Sequence, residues 1–310
     1  MVGLWAAWAL VRLLGVERGW LPVCLVAFTP YAALTAPLPV AVALATGRWV
    51  AAGVAGAALV GLVAAVLPRS IRQPHGGTGT ALRVLTANLM HGECDPDALV
   101  ALVRDLGVDL LAVQEYTLRV DHKLRAAGLG ELLPHHSVEP RPRGNGSAVF
   151  SRYPLRVQEC RINPGGHRNA RAIVAVPGAG ALHVESVHPA SLYHPDRLPE
   201  WRDGLAGLPA AGPDGPVRLL LGDFNATLDH AALRSVLRRG YRDAATVAGR
   251  ALVPTWPFTG YGPIPRVTLD HVLADRRMRV RAAAVHPVPG SDHRAVYAEL
   301  ILPIATEPAS

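Results

Sequence analysis

Several apolar runs in this 310-residue chain end, or are interrupted, at polar groups that a buried strand does not need. They are Asn88 in LTANL, Glu115 in AVQEY, His188 in SVHPAS, Asp223 and Asn225 in GDFN, and Asp270 in TLDHVLA. Asp292 and His293 then sit immediately before a final apolar run. A carboxylate at a strand end can orient and deprotonate a water. An amide beside it both donates and accepts, so it can hold an oxyanion or a metal. Oxygen donors from Asn, Glu and Asp suit Mg²⁺, and Glu115 with Asn88 and Asp292 makes a chemically sensible set. A structural zinc would want cysteines or clustered histidines, which the chain lacks. Taken singly, each group has a structural alternative. Asn88 can cap a turn, Glu115 can pair with an arginine, and His188 can be a satisfied core histidine. Jointly they form a hard-metal and general-base inventory.

The organising stretch is Leu219 to Thr227, LLLGDFNAT. Val217 to Leu221 is an apolar run fit for a strand buried on both faces, and it stops at Gly222. The strand period of two puts Asp223 and Asn225 on one side and turns Phe224 away. An Asx-type turn closing a core strand is the bland alternative.

The elements that must position these groups follow from pattern. Leu82–Asn88 and Asp109–Gln114 read as buried strands, with helices over Pro96–Leu106 and up to Ala126. From Gly146 the texture turns β-rich, with strands at 147–151, 155–162, 171–176 and 182–187. A helix around 196–205 precedes the organising strand and another, 231–239, follows it. Strands at 267–273, 280–285 and 295–301 close the domain. Helices interspersed with β-runs predict an α/β, four-layer sandwich: two sheets packed face to face and covered by helices.

The first 68 residues differ in kind, since their only charges are Arg12, Glu17, Arg18 and Arg48. Trp49–Leu67 is uncharged and long enough to cross a hydrocarbon core, with Gly53, Gly56 and Gly61 as a small-residue packing face. Leu21–Thr46 is also uncharged, although Pro22, Pro30, Pro37 and Pro39 must kink or break it. Met1–Leu14 is apolar but short. The expected organisation is a membrane anchor of two to three transmembrane helices at 1–68, a linker at 69–80, a catalytic domain at 81–303 and a tail at 304–310. Arg12 and Arg18 before the second segment, with Arg69 and Arg72 after the last, would place the domain in the cytoplasm by the positive-inside rule. A net charge of +7 and a pI of about 9.8 suit an anionic partner, whether phosphate, nucleic acid or an acidic membrane. Cys24, Cys94 and Cys160 make no disulfide framework; Cys94 and Cys160 read as buried thiols that could pair only on an oxidising face.

From Leu82 to Ile301 the order of TANLMHG, LLAVQEYT, GSAVFSRYPL, VESVHPAS, LLLGDFNAT, TLDHVLAD and GSDHRAV resembles the endonuclease/exonuclease/phosphatase superfamily, the DNase I-like fold. The resemblance implies roles for the residues above. Glu115 would be the principal Mg²⁺ or Mn²⁺ ligand, with Asn88 near the metal or the substrate phosphate and Asp292 assisting. Asp223 would activate the attacking water, Asn225 bind a phosphate oxygen, His188 donate to the phosphate, and Asp270 fix His293. The metal nuclease branch often carries an acidic residue two places after the Asn; here that position is Met90, followed by His91. Arg152, Arg168 and Arg171 are candidate phosphate-steering groups, with Arg171 as a substrate contact, and a solvated-surface role is the alternative for each.

The fold serves nucleases, lipid phosphodiesterases and phosphatases alike. A multi-helix N-terminus before this domain resembles the VanJ-type teicoplanin-resistance membrane proteins. That implies a lipid-linked substrate such as undecaprenyl pyrophosphate, and an extracytoplasmic catalytic domain on a multi-pass cell-membrane protein. A membrane-tethered nuclease is the alternative, and a non-catalytic binder of anionic headgroups a third.

Overall fold

The computed structural model describes residues 2–73 and 77–304. The N-terminal helices are α1 (Val2–Leu14), α2 (Trp20–Val26), α3 (Thr29–Thr35), α4 (Pro37–Ala45) and α5 (Trp49–Val66). Then come β1 (Thr80–Asn88), α6 (Pro96–Asp105), β2 (Leu110–Gln114), α7 (Leu118–Ala126), α8 (Leu129–Leu132), β3 (His135–Glu139), β4 (Ser147–Ser151) and β5 (Leu155–Ile162). They are followed by β6 (Arg168–Val176), β7 (Gly180–Val187), α9 (Leu198–Ala206), β8 (Val217–Asp223), α10 (Ala231–Arg238), β9 (Tyr241–Asp243) and α11 (Ala244–Val247). The chain closes with β10 (Asp270–Asp275), β11 (Arg279–Pro287) and β12 (Arg294–Leu302).

Among the described residues the strands form two six-stranded sheets, ordered β11-β12-β1-β2-β4-β3 and β5-β6-β7-β8-β10-β9. Each is mixed: β1 runs parallel to β2, and β7 to β8, while their other neighbours are antiparallel. Leu82 and Val84 of the first sheet share a core with Val184, Leu219 and Leu221 of the second. Outside, Leu99 and Val103 of α6 and Val120 and Leu124 of α7 cover the first sheet. Trp201 and Leu205 of α9, with Leu233 and Val236 of α10, cover the second. The expected four layers are therefore present. Helix α6 starts where it does because Asp95 accepts from the Asp97 and Ala98 amides, with Pro96 in the first turn.

Two strands were not foreseen. β3 is a half-polar edge strand, HHSVE, and β9 has only three residues, so neither carries a readable apolar period. β10 also starts later than expected, at Asp270 and not Val267. Val267 makes only an isolated bridge to Trp256, its backbone groups exchanging hydrogen bonds with that residue and not with a strand of the sheet.

In the N-terminal part, Trp49–Ser70 is the one helix among the described residues that is long and apolar enough to cross a membrane by itself. Trp20–Val26 and Thr29–Ala45 pass the same test only as a pair bent by 63°, and α1 is shorter. The prolines account for the breaks, since Pro30 and Pro37 each open a new helix. The glycine face does not pack as expected. Nothing approaches Gly53 or Gly56, whereas Gly61 meets Leu13 of α1. The buried stripe of α5 is Ala52, Ala55, Ala58, Leu62 and Val66. The expected linker does not start free: the Gln73 amide donates to the Val247 carbonyl at 2.9 Å. Residues 74–76 of that linker and 305–310 of the tail lie outside the described residues.

An ion cluster unforeseen in the sequence fastens these helices to the domain. Asp229 is 0% exposed and pairs with both Arg12 of α1 and Arg69 just after α5, whose Nη1 lies 2.8 Å from Oδ2. Burial pushes the Asp229 carboxyl up, but the hydrogen bond and charge of Arg69, with Arg12 behind them, hold it below the usual range. Next to it, His230 accepts from the Thr227 amide at Nδ1 and donates from Nε2 to the Val23 carbonyl of α2 at 3.0 Å. Burial holds this imidazole neutral, its pKa lowered to about 4. Glu17 accepts from the Ala231 amide at the start of α10. Two of the four arginines counted for orientation are thus internal partners of one carboxylate.

Candidate active site

Strands β1, β2, β7 and β8 all end at one edge of the sandwich, where β10 and β12 begin. Register fixes this: Asn88 lies beside Gln114, Val187 beside Gly222, and Asp270 beside Asp223. The strand ends therefore deliver Asn88, Glu115, His188, Asp223 and Asp270 to one basin, with His293 brought in just before β12. The Asn88 amide nitrogen joins the halves, donating to Glu115 Oε1 at 3.0 Å and to Asp223 Oδ2 at 3.1 Å. His188 Nε2 lies 3.7 Å from Asp223 Oδ2 and 3.9 Å from Glu115 Oε1. His293 Nε2 lies 3.8 Å from Asp223 Oδ2. Those three gaps are too long for direct hydrogen bonds and leave room for a bridging oxygen.

His293 Nδ1 lies 2.8 Å from Asp270 Oδ2, with both groups buried. Burial opposes the imidazolium, but the charges of Asp270 and Asp223 and the Asp270 hydrogen bond outweigh it and raise the pKa to about 10. His188 has no such partner. Burial, with His167, His293 and His91 nearby, holds it well below its ordinary value, and its Nδ1 is unpartnered. Neutral, with its proton on Nε2, it would donate into the basin. Asp223 is shifted upward, chiefly by burial and also by Asp270, against the pull of His293 and of the Asn225 and Asn88 donors.

The backbone is bent to make this basin. Met90, His91, Glu115 and Asn225 all have positive φ, between 45° and 57°. Such conformations in non-glycine residues cost energy and gather at functional sites. A Cβ on Gly222 would lie 2.0 Å from the Val187 carbonyl, which explains the glycine before Asp223.

Some expected residues are placed differently. Arg171 turns to the outer face of the second sheet, where it faces Glu185 at 3.8 Å and bonds the Glu159 carbonyl, with no contact to the basin groups. Alternation explains this: Ala170 and Ala172 take the core side. Arg152 pairs with Asp109 at the opposite end of β2 from Glu115. Arg168 lies 3.4 Å from Glu139. Asn225 spends one amide hydrogen on the Pro189 carbonyl at 3.0 Å, and its backbone amide donates to Asp223 Oδ1 at 2.8 Å. Asp292 accepts from the Trp256 indole at 3.1 Å and has no bond to Glu115 or Asn88.

Other contributors were missed. The His91 amide donates to Glu115 Oε2 at 2.6 Å, and its imidazole Nδ1 lies 3.1 Å from the same oxygen. The LMHG stretch gave a composition cue but not the left-handed turn that aims it. Ser291 donates to the Asn88 carbonyl at 2.7 Å and accepts from the His293 amide, tying β1 to the final histidine. Thr255 Oγ1 accepts from the Leu269 and Asp270 amides. Asn163 and His167 both reach the His188 carbonyl, at 2.6 and 2.9 Å.

The residues fit a divalent cation by charge and donor type. Three carboxylates (Asp223, Asp270 and Asp292) act on the one strongly favoured imidazolium, Glu115 lies beside His188 and His91, and Asp270 Oδ1 is buried without a partner. A cation beside Asp223 would offset the burial that now disfavours its ionised form. Ligand atoms of Asp223, Asp270 and His293 lie within 4.8 Å of one another. Of these, Asp270 and His293 already form an ion pair, so the Glu115 carboxylate suits a hard ion better; Asn88 turns its NH2 towards Glu115, while its Oδ1 accepts from the Met90 amide at 3.0 Å.

Comparison with known proteins agrees with this construction. The model of the Endonuclease/Exonuclease/phosphatase family matches residues 85–293, which brackets the basin from β1 to His293. The chain is similar to an endonuclease/exonuclease/phosphatase from Beutenbergia cavernae DSM 12333 (21% identity, 72% of each chain, TM-score 0.52). It is similar to sphingomyelinase C from Streptomyces griseocarneus (18% identity, 71% of this chain and 99% of that, TM-score 0.52). It is also similar to D. rerio TDP2 complexed with single-strand DNA product (16% identity, 71% and 99%, TM-score 0.56). No curated protein matches it. With two packed mixed sheets flanked by helices and this strand-end basin, the chain belongs to the endonuclease/exonuclease/phosphatase family and has its DNase I-like fold.

Proposed function

We propose that the chain is a membrane-anchored, divalent-metal-dependent phosphohydrolase that cleaves a phosphate ester or diphosphate of a lipid-linked substrate of the undecaprenyl pyrophosphate kind. The carrying observation is the setting of Asp223 Oδ2, which takes the Asn88 donor at 3.1 Å with His188 and His293 at 3.7 and 3.8 Å. In this reading Asp223 orients and deprotonates the attacking water, and its burial-raised proton affinity favours that role near neutral pH. His293, held charged by Asp270, and His188 donate to nonbridging oxygens as charge accumulates there. Asn88 fixes Asp223 relative to Glu115, and Asn225 supports Asp223 through its backbone amide. Mg²⁺ or Mn²⁺ held by Glu115, with Asn88 beside it, would supply Lewis-acid stabilisation of the phosphate.

A lipid substrate is supported by the N-terminal helices, which contact the loop directly after Asn225 through Asp229 and His230. In this reading those helices form a multi-pass anchor, and the domain is extracytoplasmic. The test is phosphate release from a polyprenyl diphosphate by the full chain in detergent with Mg²⁺. Activity that disappears in a folded Glu115→Ala protein supports the reading; equal release by that variant counts against it. Rapid nicking of plasmid DNA without lipid hydrolysis would favour the nuclease alternative.

A further inference from the structure

A cavity of about 240 Å³ opens between the N-terminal helices and the catalytic domain. Tyr31 and Leu34 of α3 form one wall, and Leu228, Leu252 and Val267 the other. It does not include the basin, but its back wall includes the loop segments that follow β8 and precede β10. Leu228 is three residues beyond Asn225, and Val267 three before Asp270, at most roughly 10 Å along the chain in each case. The wall is braced to the basin. Phe224 donates to the Leu269 carbonyl at 2.9 Å, and Thr255 bonds the Leu269 and Asp270 amides while its own carbonyl accepts from Arg294. The other wall is held by Tyr31, whose hydroxyl donates to the Arg266 carbonyl at 2.8 Å, and by the Asp229 cluster.

Two properties select an occupant. The lining is mainly apolar and runs out onto exposed Leu34 (77%) and Leu38 (60%), surfaces of an uncharged helical segment next to the membrane-length helix Trp49–Ser70. Its charge is positive. Asp229 is matched by two arginines, and the lining residue Arg266 has no ion-pair partner among the described residues. An apolar chain carrying an anionic phosphate end matches both; a cationic headgroup or a free inorganic anion matches one at most.

We propose that this cavity is the subsite for the first part of the substrate's hydrocarbon chain, so that α2 and α3 are walls of the substrate site as well as an anchor. The inference rests on the lipid-phosphate reading above and adds where the lipid lies. Two experiments keep the failures apart. First, the full chain in lipid nanodiscs with EDTA, so that no turnover is needed, is photolysed with a diazirine-bearing farnesyl diphosphate and the adducts are mapped by mass spectrometry. Adducts on Tyr31–Leu34 or 251–268, suppressed by unlabelled farnesyl diphosphate and not by inorganic phosphate, are expected. Adducts elsewhere, or adducts that resist competition, overturn the subsite even if the enzyme hydrolyses lipid diphosphates. Second, Leu34→Trp and Leu252→Trp should lower the kcat/KM ratio of farnesyl over methyl diphosphate, which has no chain to place in the cavity, about tenfold, the effect of losing one to two buried methylenes. An unchanged ratio in both variants overturns the subsite. Absence of hydrolysis of either diphosphate by the unmodified protein instead removes the proposed function, and the adduct map then decides the cavity by itself.

Discussion

Asp270 Oδ2 lies 2.8 Å from His293 Nδ1 at the floor of the basin, although 23 residues separate them in the chain. The pair converts a buried imidazole, which burial alone would neutralise, into one that stays protonated through neutral pH. Asp270→Asn keeps the shape and removes the charge. His293 should then titrate well below its value of about 10, and kcat should fall by about 10²-fold or more. Histidine NMR titration with parallel kinetics checks both; an unmoved His293 resonance with lost activity would mean that Asp270 acts in another way.

Glu115 is predicted to govern metal dependence. Chelation should abolish turnover, and Mg²⁺ or Mn²⁺ should restore it. Glu115→Gln should raise the metal concentration for half activity by about 10–100-fold, whereas His91→Ala, which removes an imidazole 3.1 Å from Glu115, should shift it less. Metal titrations of the three proteins decide it, and identical midpoints would remove Glu115 from the ligand set.

The basin was legible because strand ends write themselves into sequence. An apolar run followed by Gly-Asp-Phe-Asn reports both the strand and the side on which Asp223 emerges, and several such runs in order resemble one fold. What was not legible depends on contact across the chain or on backbone handedness. Nothing near Arg12 marks it as the partner of Asp229, 217 residues away. Nothing in Met90-His91 announces positive φ. Arg171 was misplaced because a basic residue near a phosphate site reads as steering until the alternation of β6 sends it to the outer face. Asp292 carried a metal expectation, but its indole partner Trp256 comes from a loop with no readable period.

Stability should fall with rising pH through a second buried histidine. His271 has an acceptor at each ring nitrogen, Asp243 Oδ1 at 3.1 Å and the Ala226 carbonyl at 2.9 Å, so only the imidazolium satisfies both. Burial lowers its pKa, but Asp243 and then the carbonyl outweigh this and raise it. The stabilisation is therefore complete below the unfolded value of about 6.5 and is lost as pH rises through the folded one. Thermal melts from pH 6 to 9 should show a falling Tm, and His271→Gln should start lower and flatten that slope. A parallel slope in the variant would assign the effect to another group.

The Asp229 cluster should prove to be a single unit. A carboxylate with a lowered pKa stabilises above about pH 3.9 and loses that contribution as pH falls through its folded value. Asp229→Asn leaves Arg12 and Arg69 buried without a full counter-charge, a change that costs about 3–5 kcal/mol in comparable buried pairs. Hydrogen exchange should then rise at 70–73 and 227–231, where the helices meet the domain. Replacing all three partners together, Arg12→Met, Arg69→Met and Asp229→Leu, should recover most of the lost Tm, because an apolar contact of similar volume carries no desolvation penalty. If the triple variant is no better than the single one, the cluster is holding a geometry that apolar packing cannot. The helices would then depend on these charges for their orientation on the catalytic rim as well as for their attachment.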